Sequence, residues 1–273
     1  MQDRYSGDVG DFGKFSLLRY LFDSSHHKIG VVWYLFPDES HNDDGGHIDY
    51  LGHRDFLNRD KSLCEKLSTV VHGDRSVSAL EKAELLPANT VYFSEPLDFH
   101  LRFPSQTQKD RQEREEKRAQ WFSKAVLAIS NCNIAFLDPD NGLQIPSCSK
   151  TSQLKSGKFV YYSEISVLAK NMAVTVIYHH LGRKGTHGTQ ISTRAAELRR
   201  HIDPTRTIFA LRYRPYSPRV YFIAAAKPED TGLKEKLLSF LRGRYGKHWD
   251  SYYEERPSNE SLHRIAALSG HSR

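Results

Sequence analysis

Short apolar runs alternate with amphipathic segments along most of this chain. Runs rich in β-branched and aromatic residues predict strands, and they lie at residues 28–36, 90–95, 133–138 and 173–180. Between them, apolar residues recur at helical spacing, as Phe15, Leu18 and Phe22 do before the first strand. Two more runs, Thr207–Tyr213 and Arg219–Ala225, flank a turn with two prolines and predict an antiparallel hairpin.

The order of these elements predicts an α/β fold. Strands that alternate with helices favour a doubly wound, mostly parallel sheet with helices on both faces, and the hairpin then ends the sheet in antiparallel pairing. The length of 273 residues fits a single α/β domain over residues 1–273, with a tail at 256–273 that we expect to pack loosely. A further strand is expected between the first two runs, and residues 75–77 are the only candidate for it.

Composition and charge narrow the class of protein. A net charge of +6 and a pI of about 9.1 favour a polyanionic partner, either a nucleic acid or a nucleotide. No apolar run approaches the roughly 20 residues that a membrane helix needs, so no membrane partner is expected. The start of the chain lacks an apolar signal segment, and the 3 cysteines form no Cys-x-x-Cys pair. We therefore expect a soluble cytoplasmic protein, and the oligomeric state stays open.

Acidic residues stand directly after the third predicted strand, in Asp138-Pro-Asp-Asn-Gly142. In open α/β sheets, ligands bind outside the carboxyl ends of the strands. Asp138, Asp140 and Asn141 are therefore candidate site residues, Pro139 stiffens the turn, and Gly142 lets the backbone approach a ligand closely. If the stretch is a site, Asp138→Asn is expected to lower ligand binding while the melting temperature holds or rises. These are also common turn residues, so a purely structural turn remains the alternative.

Two more predicted strands end in acidic residues. The first is followed by Asp38 and Glu39, and the second ends in Glu95. The loop after the first strand also holds His41, Asp43, Asp44 and His47. Such a mixture can bind a metal ion, but its spacing matches no known ligand motif, and a solvated polar loop is the alternative.

The strand at 173–180 leads into a basic, glycine-rich loop. His180 ends the strand, and Arg183 and Lys184 follow between glycines. A basic loop of this kind at a strand end is a candidate contact for phosphate or nucleic acid. A basic surface loop without a ligand is the alternative.

The motif that opens the first predicted helix is rich in glycine and aspartate. It reads Tyr5-Ser-Gly-Asp-Val-Gly-Asp-Phe-Gly-Lys14. Asp8 or Asp11 is placed to cap the helix, and the glycines with Lys14 make a candidate anion-binding corner. The Gly-Lys-[Ser/Thr] spacing of a Walker loop is absent. A capped helix with a flexible lead is the alternative.

The stretch after the third predicted strand, the motif that opens the first helix and the order of the elements resemble those of the class I S-adenosylmethionine-dependent methyltransferases. Leu137-Asp-Pro-Asp-Asn141 is similar to their fourth motif, an acidic or amide residue followed by Pro-Pro-aromatic. The segment Gly10-Asp-Phe-Gly-Lys-Phe-Ser-Leu-Leu-Arg-Tyr-Leu21 is similar to one that precedes the first strand in two families. These are the ribosomal RNA adenine-N6 methyltransferases and the three-Cys-motif partner proteins. The resemblance covers the order of elements along most of the chain, but only about 25 residues by motif.

The resemblance implies a Rossmann-like methyltransferase fold, S-adenosylmethionine as cofactor, and a nucleic acid or nucleotide as substrate. Asp138 would accept a hydrogen bond from the substrate amino group, and Pro139 would fix the loop. Asp11 and Lys14 would border the methionine end of the cofactor. The remaining candidates for the cofactor are Asp38, Glu39 and Glu95.

The chain departs from that template at two places. Pro37-Asp-Glu-Ser-His41 replaces the usual Gly-x-Gly after the first strand, and Asp140 and Asn141 replace the second proline and the aromatic residue of the fourth motif. An aromatic residue at that position would stack on a flipped base.

Two other functions remain open on the same residues. One is a divalent-metal nuclease or phosphohydrolase, in which Asp138 and Asp140 hold Mg²⁺ or Mn²⁺ and His180 or Lys184 contacts phosphate. The other is a non-catalytic nucleic-acid-binding module on the same fold.

Overall fold

A sheet of eight strands, with parallel pairing on one side and antiparallel pairing on the other, forms the centre of the protein. The computed structural model describes residues 1–40, 45–203, 205–227, 232–255 and 263–266. Its strands are β1 Ile29–Trp33, β2 Val91–Phe93, β3 Ile134–Asp138, β4 Gly142–Leu143, β5 Phe159–Val160, β6 Val174–His180, β7 Thr207–Tyr213, β8 Arg219–Ala225, β9 Trp249–Glu255 and β10 His263–Ala266. The order across the main sheet is β10-β9-β7-β8-β6-β3-β1-β2, and β4 and β5 form a separate parallel pair.

Helices cover both faces of the sheet. They are α1 Val9–Leu21, α2 Arg54–His72, α3 Val77–Lys82, α4 Phe99–Arg102, α5 Gln108–Ala128, α6 Tyr162–Asn171, α7 His187–His201 and α8 Leu233–Arg242. One core contains apolar residues of α1, α2, α3 and α8, and the other those of α5, α6 and α7. Because side chains alternate along a strand, Val31 enters the first core and its neighbour Val32 the second. Burial on both sides explains why the central strands are continuous apolar runs.

The direction of the strands brings distant residues to one edge. Strands β1, β3 and β6 pair in parallel, so Trp33, Asp138 and His180 end at the same edge. Strand β8 is antiparallel to β6, and its first residue, Arg219, pairs with His180. The edge therefore receives the carboxyl ends of the parallel strands and the amino end of β8.

The α/β class, the parallel pairing of the central strands and the antiparallel hairpin are confirmed. The prediction of a strand at residues 75–77 is wrong, because Val77 begins α3 and Ser76 Oγ caps that helix by accepting from Ala79 N at 3.1 Å. Strands β9 and β10 were not predicted, and they extend the sheet beyond the hairpin.

The expected tail at 256–273 is described in part. Residues 263–266 form β10, which pairs with β9, whereas 256–262 and 267–273 lie outside the described residues. Within the part of the chain that the structure describes, no helix is both long enough and apolar enough to cross a membrane.

Candidate functional site

A cavity of about 380 Å³ lies at the edge where β3 and β6 end and β8 begins. It is bordered by the start of α1, the turn after β3, and the loop after β6. Eight of the residues predicted from the sequence line it together: Asp11, Lys14, Asp138, Pro139, Asp140, Asn141, His180 and Arg183. We call this space the rim cavity.

The start of α1 is shaped by two aspartates. Asp8 is the residue before the helix, and its Oδ1 accepts from the backbone N–H groups of Gly10 at 2.7 Å and Asp11 at 3.2 Å. Asp11 Oδ2 accepts from Gly7 N at 2.8 Å. Carboxylates near a helix N-terminus are stabilised by its unpaired N–H groups and by the helix dipole. Both acidic side chains are buried, and both border the rim cavity.

Lys14 joins α1 to the end of β3. Its Nζ lies 2.7 Å from Asp11 Oδ1 and 2.5 Å from Asp138 Oδ2, and 4.9 Å from the centre of the Trp33 ring. Burial lowers the pKa of Lys14, but the charges of Asp11 and then Asp138 outweigh it and raise that pKa overall. The lysine is therefore held as an ammonium ion between two carboxylates.

Asp11 has an unusual acidity. Burial, with smaller contributions from Asp8 and Asp138, raises its pKa from 3.8 to about 6, although the charge of Lys14 acts in the opposite direction. The protonation of Asp11 therefore changes in a range where most carboxyl groups are fully ionised.

The turn after β3 is held by a second lysine. Lys158 Nζ lies 3.0 Å from Asp140 Oδ2 and also pairs with Glu39. Gln2 Nε2 donates to the same Asp140 oxygen at 3.0 Å and to Glu39 at 3.1 Å. Although burial raises the pKa of Asp140, the neighbouring positive charges hold it below its usual value.

A buried arginine also lines the rim cavity. Arg219 Nε donates to Tyr178 OH at 3.2 Å, its Nη1 to Ser217 O at 2.8 Å, and its Nη2 lies 3.4 Å from Asp8 Oδ2. A Cβ atom at Gly10 would lie 2.9 Å from Arg219 Nε, so glycine there leaves room for the guanidinium group. The rim cavity is thus lined by acidic side chains and by the guanidinium group of Arg219.

The turn depends on Gly142, which has a φ of +105°. A Cβ atom there would lie 2.2 Å from His179 Nδ1. The same nitrogen accepts from Leu143 N at 3.1 Å, and burial lowers the pKa of His179 to about 3. The side chain of His179 is therefore neutral, and it supports the turn after β3 by accepting from Leu143 N.

The structure places four other predicted residues outside the wall of the rim cavity. Glu39 is linked to the turn through Lys158, and Asp38 is exposed and accepts from Arg4 N at 3.2 Å. Glu95 pairs with Lys124 on α5 at 2.8 Å, and Lys184 is exposed. Of the metal-binding candidates after β1, His47 lines the cavity, and His41, Asp43 and Asp44 lie outside the described residues.

Sequence reasoning missed Tyr178 and Arg219 as members of the site. The position of Arg219 could have been predicted. If the first strand of the hairpin runs in the same direction as the preceding parallel strands, the second strand begins at the edge where those strands end. Asp8 was recognised as a possible cap, but not as the partner of a residue 211 positions later.

No protein-family model matches the chain, and no curated protein matches it significantly. Among the described residues, no group of three or more His, Cys, Asp or Glu side chains is placed to hold a metal ion.

Proposed function

We propose that the rim cavity binds S-adenosylmethionine and that the protein is a methyltransferase-like enzyme acting on a nucleic acid or nucleotide, on a doubly wound, Rossmann-like fold. One observation carries the proposal. The two motifs that resemble methyltransferases, at residues 10–21 and 137–141, are far apart in the sequence, yet Lys14 Nζ contacts Asp138 Oδ2 at 2.5 Å in the wall of one cavity.

The charges around the rim cavity suit the methionine end of this cofactor. That end carries an ammonium group, a sulfonium and a carboxylate. Asp11 offers anionic oxygen atoms, and Arg219 and Arg183, which line the same cavity, offer guanidinium groups. Arg219 uses three of its five N–H donors in the contacts described above, so donors remain for a carboxylate. A volume of about 380 Å³ also lies in the range of small-molecule sites.

The chain's own residues would orient the acceptor. Bound S-adenosylmethionine supplies an electrophilic methyl group. Asp138 is fixed by β3 and by Lys14, so its carboxylate is positioned to accept a hydrogen bond from an amino group without reorganising. Pro139 stiffens the turn that carries it, and Asn141 adds an amide at the mouth of the cavity. This arrangement favours an amino group on a base as the acceptor.

The divalent-metal alternative is less well supported. Asp138 and Asp140 were its proposed ligands, and each already pairs with a lysine, at 2.5 and 3.0 Å. An ammonium ion therefore lies within contact distance of each carboxylate that would bind Mg²⁺ or Mn²⁺. A metal ion at these carboxylates would therefore lie beside a buried ammonium group, that of Lys14 or Lys158.

The basic residues near the cavity support a polyanionic partner. Arg183 lines the rim cavity and is exposed, and Lys184 follows it in the same loop. The net charge of +6 acts in the same direction.

Isothermal titration calorimetry with S-adenosylmethionine, and separately with Mg²⁺ and Mn²⁺, tests the proposal. We expect saturable binding of S-adenosylmethionine that Lys14→Met abolishes and Lys124→Met leaves unchanged, since Lys124 pairs only with Glu95 on the surface. Transfer of a labelled methyl group to RNA, DNA or nucleotides then tests catalysis. Binding without transfer to any of them would favour the non-catalytic module, and metal binding alone would favour the hydrolase.

A further inference from the structure

Tyr216 is held in a backbone conformation that a bulky residue rarely adopts. It lies in the turn between β7 and β8 with a φ of +59°, in the left-handed region that favours glycine. Its side chain is 44% exposed, and among the described large hydrophobic residues with high exposure it is the only aromatic one. Backbone strain of this kind is concentrated at functional sites.

Two contacts fix the ring of Tyr216. Its OH group donates to Asp49 Oδ1 at 2.9 Å, and its ring centre lies 4.6 Å from that of His47, at an angle of 36°. His47 lines the rim cavity. The exposed ring is therefore held by two contacts, and it packs against a residue that lines the rim cavity.

The ring also borders a second space of about 330 Å³, which we call the Tyr216 cavity. Phe56 and Pro215 give it apolar walls, and Arg214 and Lys247 also line it with side chains that are 44% and 66% exposed. Their charges are partly balanced, because Lys247 pairs with Asp55 at 2.8 Å and Arg214 lies 3.5 Å from Asp250. A flat aromatic group suits this space better than a bare anion does.

One turn separates the two cavities. Tyr216 borders the Tyr216 cavity, whereas the next residue, Ser217, lines the rim cavity and contacts His180 Nε2 at 3.2 Å. A nucleotide chain that presents a base at the mouth of the rim cavity would pass this turn, which brings a neighbouring base to Tyr216. Enzymes that modify a base commonly read the nucleotides on either side of it.

We propose that Tyr216 stacks on the base that flanks the target nucleotide, and that the substrate is a single-stranded nucleic acid. The inference rests on the proposed function and narrows its substrate class. Stacking on an aromatic side chain accepts every base, because every base has a π-face. The resemblance places an aromatic residue at the position of Asn141, and in this protein the exposed aromatic ring comes instead from the hairpin turn.

Fluorescence titration of short single-stranded oligonucleotides that carry 2-aminopurine tests the proposal, with nucleoside monophosphates and a duplex of the same sequence as competitors. We expect Tyr216→Ala to weaken oligonucleotide binding by about 5- to 150-fold, the loss that corresponds to one base–aromatic stack, and Tyr216→Phe to keep binding within about twofold. Monophosphates and the duplex should compete poorly. Leu127→Ala removes another exposed apolar side chain, on α5, and serves as the matched control.

Several results would overturn the inference. The first is that the protein does not bind the oligonucleotides. The second is that the wild type and Tyr216→Ala bind them equally well. The third is that monophosphates compete more strongly than single strands. Calorimetry with S-adenosylmethionine on the same variants keeps the two proposals apart. Loss of oligonucleotide binding in Tyr216→Ala with cofactor binding intact supports both, whereas Tyr216-dependent oligonucleotide binding without cofactor binding supports the stacking site alone.

Discussion

Lys14 Nζ lies 2.5 Å from Asp138 Oδ2, and both side chains are buried. The contact joins the helix before β1 to the end of β3, so the stability of the fold and the geometry of the rim cavity depend on the same ion pair. Removal of one partner from a buried ion pair leaves an uncompensated charge, which destabilises a protein strongly.

We therefore expect Asp138→Asn to lower the free energy of unfolding by about 3 kcal/mol, since Asp11 compensates only part of the charge of Lys14. From the sequence alone we expected the opposite for Asp138→Asn, a melting temperature that is unchanged or higher. Urea unfolding gives the free energy, and calorimetry with S-adenosylmethionine should show weaker binding. Lys14→Met combined with Asp138→Asn should cost less than the two single changes together, by about 0.5–3 kcal/mol. A variant Asp138→Asn as stable as the wild type would contradict the buried pair.

Cofactor binding should depend on the ionisation of Asp11. Its pKa is raised to about 6, so the carboxylate gains its charge as the pH rises through that value. A cationic ligand should therefore bind more tightly above pH 6 than below it. Calorimetry at a series of pH values measures this change, and Asp11→Asn should remove it. A pH dependence that persists in Asp11→Asn would assign it to another group.

His179 should make the fold sensitive to acid. Its pKa falls from 6.5 in the unfolded chain to about 3 in the folded protein, because burial disfavours the charged form. Its contribution to stability is complete above pH 6.5 and is lost as the pH falls toward 3, by at most about 1.4 kcal/mol per pH unit. His248, with a pKa lowered to about 4, adds to this loss, whereas Asp11 opposes it.

The variant His179→Asn isolates the contribution of His179. The amide oxygen of asparagine can accept from Leu143 N as Nδ1 does, but it does not titrate. Urea midpoints measured between acid and neutral pH should fall less steeply for this variant than for the wild type. Identical slopes would mean that His179 titrates normally in the fold.

Gly142 should not tolerate a side chain. At a φ of +105°, and with a Cβ atom 2.2 Å from His179 Nδ1, Gly142→Ala combines backbone strain with overlap, and we expect a loss of about 3 kcal/mol or more. The matched control is Gly52→Ala, where no heavy atom lies within 4 Å of the added carbon. Urea unfolding of both variants measures the difference, and equal stabilities would contradict the geometry of the turn.

Glu95 should contribute nothing to the binding of S-adenosylmethionine. Its carboxylate pairs with Lys124 on the surface, and the pair is about half exposed. Exposed pairs of this type contribute about 0–1 kcal/mol to stability. Glu95→Gln should keep the affinity for S-adenosylmethionine and change the free energy of unfolding by less than that. A large loss of affinity in this variant would show that the ligand reaches beyond the rim cavity.

The sequence predicted the central strands and eight of the residues that line the rim cavity. Continuous apolar runs locate β1, β3 and β6, and the rule that parallel strands end at one edge places Asp138 near His180. The two predicted hairpin strands have the same bounds in the structure, Thr207–Tyr213 and Arg219–Ala225. The two prolines of the turn mark where the strands end and begin.

The sequence did not predict which charged side chains pair with each other. Glu95 stands at the end of a strand, as Asp138 does, but the long side chain of Lys124 on α5 holds it at the surface. The pairing of Asp8 with Arg219 depends on how the sheet brings residues 211 positions apart into contact. The residues of β9 and β10 alternate less clearly and were not recognised as strands.

The contact between Asp8 and Arg219 also sets an order of events during synthesis. Asp8 is translated 211 residues before Arg219, and Asp138 is translated between them. A nascent chain therefore lacks the complete site until β8 has emerged and has paired with β6. Binding of a ligand in the rim cavity would accordingly stabilise finished chains and leave shorter, unfinished ones without that protection.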